Sequence, residues 1–154
     1  MSESRISSRY AKSLFELAQE QKNLDRVHTD MQLFAATCRE NSNLVSVLKS
    51  PVIHTDKKRA VLEGIFGKHF NALSIVFLQN LVRKKREAYL PMIAHDFIML
   101  FKGFHNIEIA KITSATALSA PALQELKQKL EKQTGKTIEL DCHVDASLIG
   151  GVKI

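Results

Sequence analysis

Apolar residues recur at helical spacing from the start of the chain. Ile6, Tyr10, Leu14 and Leu17 lie four, four and three residues apart, with Ala11, Phe15 and Ala18 widening the stripe, which predicts an amphipathic helix of about four turns. Asn23 breaks it. A second stripe follows in Leu24, Val27, Met31, Phe34, Ala35 and Cys38, with Asp25 near the start, where a carboxylate suits the helix dipole. Asn41-Ser42-Asn43 offers a cap for a short helix carrying Leu44, Val47 and Leu48, and Pro51, lacking an amide hydrogen, stops it. Thr55 or Asp56 is the expected cap of a fourth helix with Val61, Leu62, Ile65 and Phe66 on its apolar face, and Gly67 stands at its C-terminal glycine position.

The stretch 72–82 differs in kind. At 100° per residue, Ala72, Leu73, Ile75, Val76, Phe77, Leu78, Leu81 and Val82 point all around the cylinder. A helix apolar on every side is either the central rod of a bundle or keeps part of its surface for a partner. A sixth helix, 90–104, carries Ile93, Phe97, Leu100, Phe101 and Phe104, with Pro91 tolerated in its first turn. Six helices joined by short breaks predict an antiparallel bundle over 1–105.

After Asn106 the pattern shifts to β-branched residues. Ile107, Ile109, Ile112, Thr113 and Thr116 predict a strand with Glu108 and Lys111 on another face. Ser119 caps a helix with Pro121 in its first turn and Leu123, Leu126 and Leu130 as its stripe, closed by Gly135. Ile138, Leu140, Cys142 and Val144 alternate as a half-buried strand, Asp145-Ala146-Ser147 turns the chain, and 148–154 begins another strand. The expected fold is mainly α: a six-helix antiparallel bundle, then a small α+β domain of strand, helix, strand, strand over 106–154. A last strand at the terminal residue predicts a chain cut short in mid-sheet.

Composition narrows the classes. With 154 residues, 45% hydrophobic and 25% charged, the chain has material for one good core or a core with a satellite, and wholesale disorder is disfavoured. No apolar run approaches the roughly 20 residues of a membrane-spanning helix, and the first ten residues lack the apolar core of an export signal. They are Arg- and Ser-rich, as organellar leaders are, but Glu3 and the early onset of helical periodicity argue against cleavage. Cys38 and Cys142 stand far apart with no Cys-x-x-Cys pattern, and both are expected reduced and buried. The net charge of +6 is uneven: residues 1–106 hold 16 Lys and Arg against 10 Asp and Glu, while 107–154 hold 6 against 6. Such a bias suits nucleic acid, anionic lipid or an acidic protein, and decides nothing alone.

Reactive side chains do not assemble into a known constellation. His28, His54, His69, His95, His105 and His143 show no metal-ligand spacing, so no metal is expected. In Asp141-Cys142-His143, strand alternation turns Cys142 away from its neighbours, which favours a core cysteine over a dyad. Gly64-x-x-Gly67 and Gly150-Gly151 lack the Lys-Ser/Thr of a phosphate loop, and the two glycines of the latter read as backbone permissiveness beside a sheet. Arg83-Lys84-Lys85-Arg86 reads as a solvated helix end whose cations oppose the dipole, and Lys57-Lys58-Arg59 in the same way. A nucleic-acid patch would want aromatic or amide neighbours, and only Tyr89 is close. The rival readings are a nucleic-acid-binding helical domain and a small enzyme using His143 or Cys142.

Arg9-Tyr10-Ala11-Lys12-Ser13-Leu14-Phe15-Glu16-Leu17-Ala18 resembles the opening helix of the ATP synthase delta subunit family, whose mitochondrial members are the oligomycin-sensitivity-conferring protein. More specifically, Ile138-x-Leu140-x-x-x-Val144-Asp145-x-x-Leu148-Ile149-Gly150-Gly151-Val152-x-Ile154 is similar to that family's C-terminal signature. Leu48-Lys49-Ser50-Pro51-Val52-Ile53 and Thr113-Ser114-Ala115-Thr116-Ala117-Leu118-Ser119 resemble family segments in the right order, so the likeness spans nearly the whole chain. It departs where many members carry a short Asn-Gly turn after the fifth helix and this chain has Lys84-Lys85, and where the family continues past the Gly-Gly signature with another strand and a short helix.

The resemblance implies a non-catalytic stator without a cofactor, linking the catalytic head of a rotary, proton-translocating ATP synthase to its peripheral stalk so that rotor torque is resisted. It implies one copy in a larger hetero-oligomer, peripheral on the cytoplasmic face of the bacterial inner membrane. The implied partners are an alpha-subunit N-terminal helix, lying in a groove between the first and fifth helices, and the b subunits of the peripheral stalk; no nucleic acid is implied. Tyr10, Ala11 and Leu14 from the first helix and Val76, Phe77 and Asn80 from the fifth are the groove-wall residues it suggests.

Overall fold

A computed structural model of the chain describes residues 2–153 and is mainly helical with a small three-stranded sheet. It divides into two compact units, Met1–Phe101 and Lys102–Ile154. The first holds α1 (Glu3–Glu20), α2 (Leu24–Glu40), α3 (Ser42–Lys49), α4 (Thr55–Phe66), α5 (Ala72–Arg83), a 3-10 turn at Glu87–Tyr89 and most of α6 (Leu90–Phe104).

Within the first unit, two helix ends adopt a glycine-type stop with lysine in its place. After α1, Lys22 takes φ 55°, its N–H donating to Gln19 O (3.1 Å) while Asn23 N–H donates to Ala18 O (2.9 Å). After α5, Lys85 takes φ 57° and donates to Val82 O (3.0 Å), and Arg86 N–H reaches Leu81 O (2.8 Å). This pair of bonds satisfies the last carbonyls of a helix, and a left-handed residue is its usual requirement. Lys22, not Asn23, thus turns the chain after α1, and Lys85 occupies the position where an Asn-Gly turn was the family expectation.

Gly67 ends α4 at the expected C-terminal position, but its φ of −57° is right-handed where such a glycine is usually left-handed. The turn continues through it, with Phe70 N–H donating to Phe66 O, and this carries Phe70 into the core. Glycine is required here for close approach, since a Cβ would meet Glu63 O at 2.5 Å. At the other end of α4 the cap is His54, without a side-chain bond, and Asp56 lies inside the first turn. Asn41 caps α3 as expected, its side chain accepting from Leu44 N–H (3.3 Å). Asn71, unpredicted, caps α5 through Leu73 N–H (2.9 Å).

The apolar stripes of these helices meet in one core, with Leu14, Val27, Met31, Phe34, Leu48, Phe66, Leu78, Leu81, Leu90, Ile93 and Phe97 all nearly sealed from solvent. Phe66 packs between Phe34 (centroids 5.2 Å apart) and Phe70 (4.6 Å). Burying each such side chain contributes about 1.5–3 kcal/mol, which drives assembly of helices too short to persist alone. Two polar groups inside this core are tied down. Asp30 Oδ2 accepts from Asn71 N–H (2.8 Å) and Ser74 Oγ (2.7 Å), fixing the start of α5 to α2. Lys58 Nζ contacts Glu87 Oε1 at 2.5 Å and donates to Leu48 O (3.1 Å), joining α4 to the end of α3 and the 3-10 turn.

The second unit contains β1 (Ile107–Ser114), α7 (Ala120–Thr134), β2 (Thr137–Val144) and β3 (Val152–Lys153), with strand order β2-β1-β3. β1 and β2 are parallel, Ile107 opposite Thr137 through Ser114 opposite Val144, and α7 supplies the crossover that parallel strands need. Ser119 Oγ caps α7 by accepting from Ala122 N–H (3.4 Å), and Gly135 ends it at φ 67°.

Three strand expectations change. Alternation places Ile112 with Ala110 and Ser114, so Ile112 is buried while Ile109, on the opposite face, is exposed. On β2, Ile138 is buried and Leu140 half-buried, but Cys142 and Val144 are exposed, so Cys142 is not a core residue. The cause is scarce cover. No α7 residue is fully buried, and a unit of this size cannot seal both ends of its strands. The strand expected over 148–154 shrinks to Val152–Lys153, antiparallel to Ser114 and Thr113, and Ile154 lies outside the described residues.

Candidate functional site

Flanking the buried face of α1 is a second stripe of Ile6, Tyr10, Ser13 and Leu17, at spacings of three and four, within which Tyr10 also packs against the core. Ile6 and Tyr10 are half-buried and Leu17 remains 41% exposed. Beside it lies a cleft of about 270 Å³ lined by Ile6, Arg9, Tyr10, Ser13 and Arg86. Arg86 belongs to the α5 stop, where its backbone bond to Leu81 O holds it, and the adjoining 3-10 turn packs against both α1 and α5.

α5 has an inner and an outer side. Ser74, Leu78, Leu81 and Val82 are buried, whereas Leu73, Val76, Phe77 and Asn80 form a second stripe at helical spacing. Within that stripe Leu73 and Phe77 are half-buried, Asn80 is exposed and Val76 is 53% exposed. The rod is therefore not sealed within the chain. Asn80 Oδ1 accepts from Arg83 (3.1 Å), which orders its amide at the edge of the stripe.

The six residues suggested from sequence thus separate by burial. Tyr10, Val76, Phe77 and Asn80 keep surface. Ala11 and Leu14 are 0% and 1% exposed, so they support the helix from beneath and offer no surface to a partner. On α1 the half-open flanking stripe lies one residue away from the buried one, which is why choosing among Tyr10, Ala11 and Leu14 by apolarity picks from both. Ile6, Arg9, Ser13 and Arg86 were missed. The spacing of 6, 10, 13 and 17 was available as a signal for Ile6 and Ser13, whereas Arg9 stands outside it and Arg86 enters the cleft only through the left-handed turn at Lys85.

Reactive side chains lie scattered. Asp141 Oδ2 and His143 Nε2 approach to 3.2 Å on an exposed strand end, and Cys142 alternates to the other face. Cys38 is buried, and burial pushes its thiol up to about 11. Ser147 donates through its hydroxyl and its backbone N–H to Asp145, and these bonds hold that carboxyl below its ordinary value. Among the described residues no three His, Cys, Asp or Glu side chains gather as a metal site, and no helix is long and apolar enough to cross a membrane.

A helical unit with an unsealed apolar rod, followed by a small sheet unit, suits an adaptor that acts by binding. Comparison with known proteins agrees. Residues 6–154 match the family model described as ATP synthase delta (OSCP) subunit. The chain is 38% identical over 155 residues to a chloroplastic ATP synthase subunit delta of Ochrosphaera neapolitana, covering 100% of this chain and 87% of that one. It is 33% identical over 151 residues to the ATP synthase subunit delta of Cytophaga hutchinsonii, covering 98% and 82%. Its fold is similar to a chain in a cryo-EM structure of the Toxoplasma gondii mitochondrial ATP synthase hexamer, with a TM-score of 0.79 at 21% identity, over 95% of this chain and 83% of that one. The chain belongs to the ATP synthase delta (OSCP) subunit family, the non-catalytic stator component of the peripheral stalk in F-type ATP synthases.

Proposed function

We propose that residues 1–105 act as a six-helix antiparallel domain whose α1 and α5 outer stripes capture the N-terminal helix of an alpha subunit, while residues 106–154 serve the b subunits of the peripheral stalk. One copy then bridges head and stalk, peripherally at the cytoplasmic face of the bacterial inner membrane. The observation that carries the reading is Val76, an apolar side chain left 53% exposed in the middle of α5. An amphipathic helix laid along Leu73, Val76 and Phe77 would remove that surface from water, the usual energetics of a helix in a groove. A stator must resist rotation without consuming nucleotide, and a helix held lengthwise along a rigid rod resists shear through many small contacts.

Val76 is the position to test, because Phe77 also packs against the core and its loss confounds binding with folding. Val76→Asp should weaken capture of an alpha-subunit N-terminal peptide about tenfold or more, as expected for a charge forced into an apolar contact worth at least 1.4 kcal/mol. Its thermal midpoint should stay near that of the unmodified chain. An unchanged affinity in a calorimetric titration removes α5 from the interface.

A further inference from the structure

The cleft beside Tyr10 has a charge as well as a shape. Arg9 and Arg86, from α1 and from the end of α5, both line it, and no acidic residue does. Among the described residues neither guanidinium has a carboxylate within 4.0 Å, whereas Lys12, Arg26 and Lys58 of the same unit are each paired with one. Arg86 is also positioned at a cost, since Lys85 must take a left-handed conformation to bring it there. Arg83, Lys84 and Lys85 raise the local positive potential further.

We propose that the helix held by this surface carries acidic side chains along one flank of its apolar stripe, and that Arg9 and Arg86 recognise them; the inference rests on the groove reading above and specifies its partner. The guanidinium is a planar fork that pairs two oxygens of a carboxylate at once, and a cleft partly screened from water strengthens that pairing. Two other anionic partners fit less well. A lipid surface wants a flat or convex face with protruding apolar side chains, and here the apolar atoms of Ile6 and Tyr10 lie half-buried in a concavity. Nucleic acid wants aromatic faces open for stacking, and Tyr10, the aromatic residue of the cleft, is half-buried.

The experiment uses two synthetic helical peptides with the same leucine stripe, one flanked by Glu and the other by Gln, titrated into the full chain at several salt concentrations. The Glu peptide should bind about tenfold more tightly at low salt, and the advantage should shrink as salt rises. The Arg9→Gln/Arg86→Gln double variant should remove the difference, and Arg86→Glu should transfer the preference to a Lys-flanked peptide. Equal binding of the Glu and Gln peptides, with Val76→Asp weakening both, overturns the charge proposal and leaves the groove standing. If Val76→Asp weakens neither, the groove reading falls and takes this inference with it. Displacement of the Glu peptide by anionic vesicles or duplex DNA at physiological salt, in a manner lost with Arg9 and Arg86, assigns the cleft to those partners and overturns the proposal.

Discussion

Lys58 and Glu87 provide the sharpest test of how the first unit is held together. Both are buried, their charged atoms are 2.5 Å apart, and Lys58 also donates to Leu48 O, while Glu87 Oε2 accepts no hydrogen bond. Removing two charges from water costs roughly what their attraction returns, so the pair as a whole should contribute little relative to a well-packed apolar one. Removing one partner is a different perturbation. Lys58→Met leaves a buried carboxylate without its cation and the Leu48 carbonyl without its donor, which should cost about 3–5 kcal/mol. The double variant Lys58→Met/Glu87→Leu removes both charges and should recover most of that loss, finishing within about 1–2 kcal/mol of the parent. Urea unfolding followed by helical circular dichroism gives all the corners of this cycle, provided the slope stays constant. If Lys58→Met costs under about 1 kcal/mol, or if the double variant is as unstable as the sum of the singles, the pair is not buried as described.

Lys85→Gly should raise the urea midpoint, by about 0.5–1 kcal/mol of stability, because glycine adopts the left-handed turn after α5 without the penalty a Cβ brings; a fall would mean the turn is not left-handed in solution. The cysteines should separate cleanly under a thiol reagent at pH 8, exposed Cys142 labelling within minutes and Cys38 only on unfolding, as intact mass would show. Cys38 also carries a pH signature. Burial raises its folded value from 9.0 to about 11, so above pH 9 the unfolded chain loses this proton first and stability falls as pH rises through that window. Equal labelling of both thiols in the folded chain, or a Cys38→Ala variant with the same alkaline loss of stability as the parent, would refute that burial.

What the sequence made legible were the local features. The caps at Asn41 and Ser119, the left-handed Gly135 and the full span of α6 follow from side chains acting within one turn of themselves. The stops after α1 and α5 were not legible in the same way, because a lysine in the left-handed region has no compositional mark. Gly67 marked the end of α4 correctly but not its geometry: glycine signals permitted freedom, and here it serves a close approach to Glu63 O in a right-handed conformation. Long-range pairing was invisible to periodicity. Asp30 meets Asn71 and Ser74 across 41 and 44 residues, and Lys58 meets Glu87 across 29, from stretches that read as ordinary polar faces. The unsealed side of α5 was half legible, since all-round apolarity says that a helix needs cover everywhere but not which side the chain itself leaves open.

The proposed docking role of α5 draws on features hidden from sequence. Its N-terminal turn is pinned to α2 by Asp30, whose carboxylate takes both the Asn71 N–H and the Ser74 hydroxyl. Its C-terminal turn is closed by the bonds from Lys85 and Arg86 to Val82 and Leu81. A helix fixed at both ends would have to break a buried charge-assisted bond, worth about 1.5–3 kcal/mol, to roll about its axis, which favours a single orientation of Val76 and Phe77. For a subunit whose family holds a stator in place, that resistance to rolling matters as much as affinity. The groove proposal therefore predicts that Asp30→Asn weakens binding of an alpha-subunit N-terminal peptide in a calorimetric titration, although Asp30 is buried in the core; unchanged affinity would show that this anchor does not serve the groove.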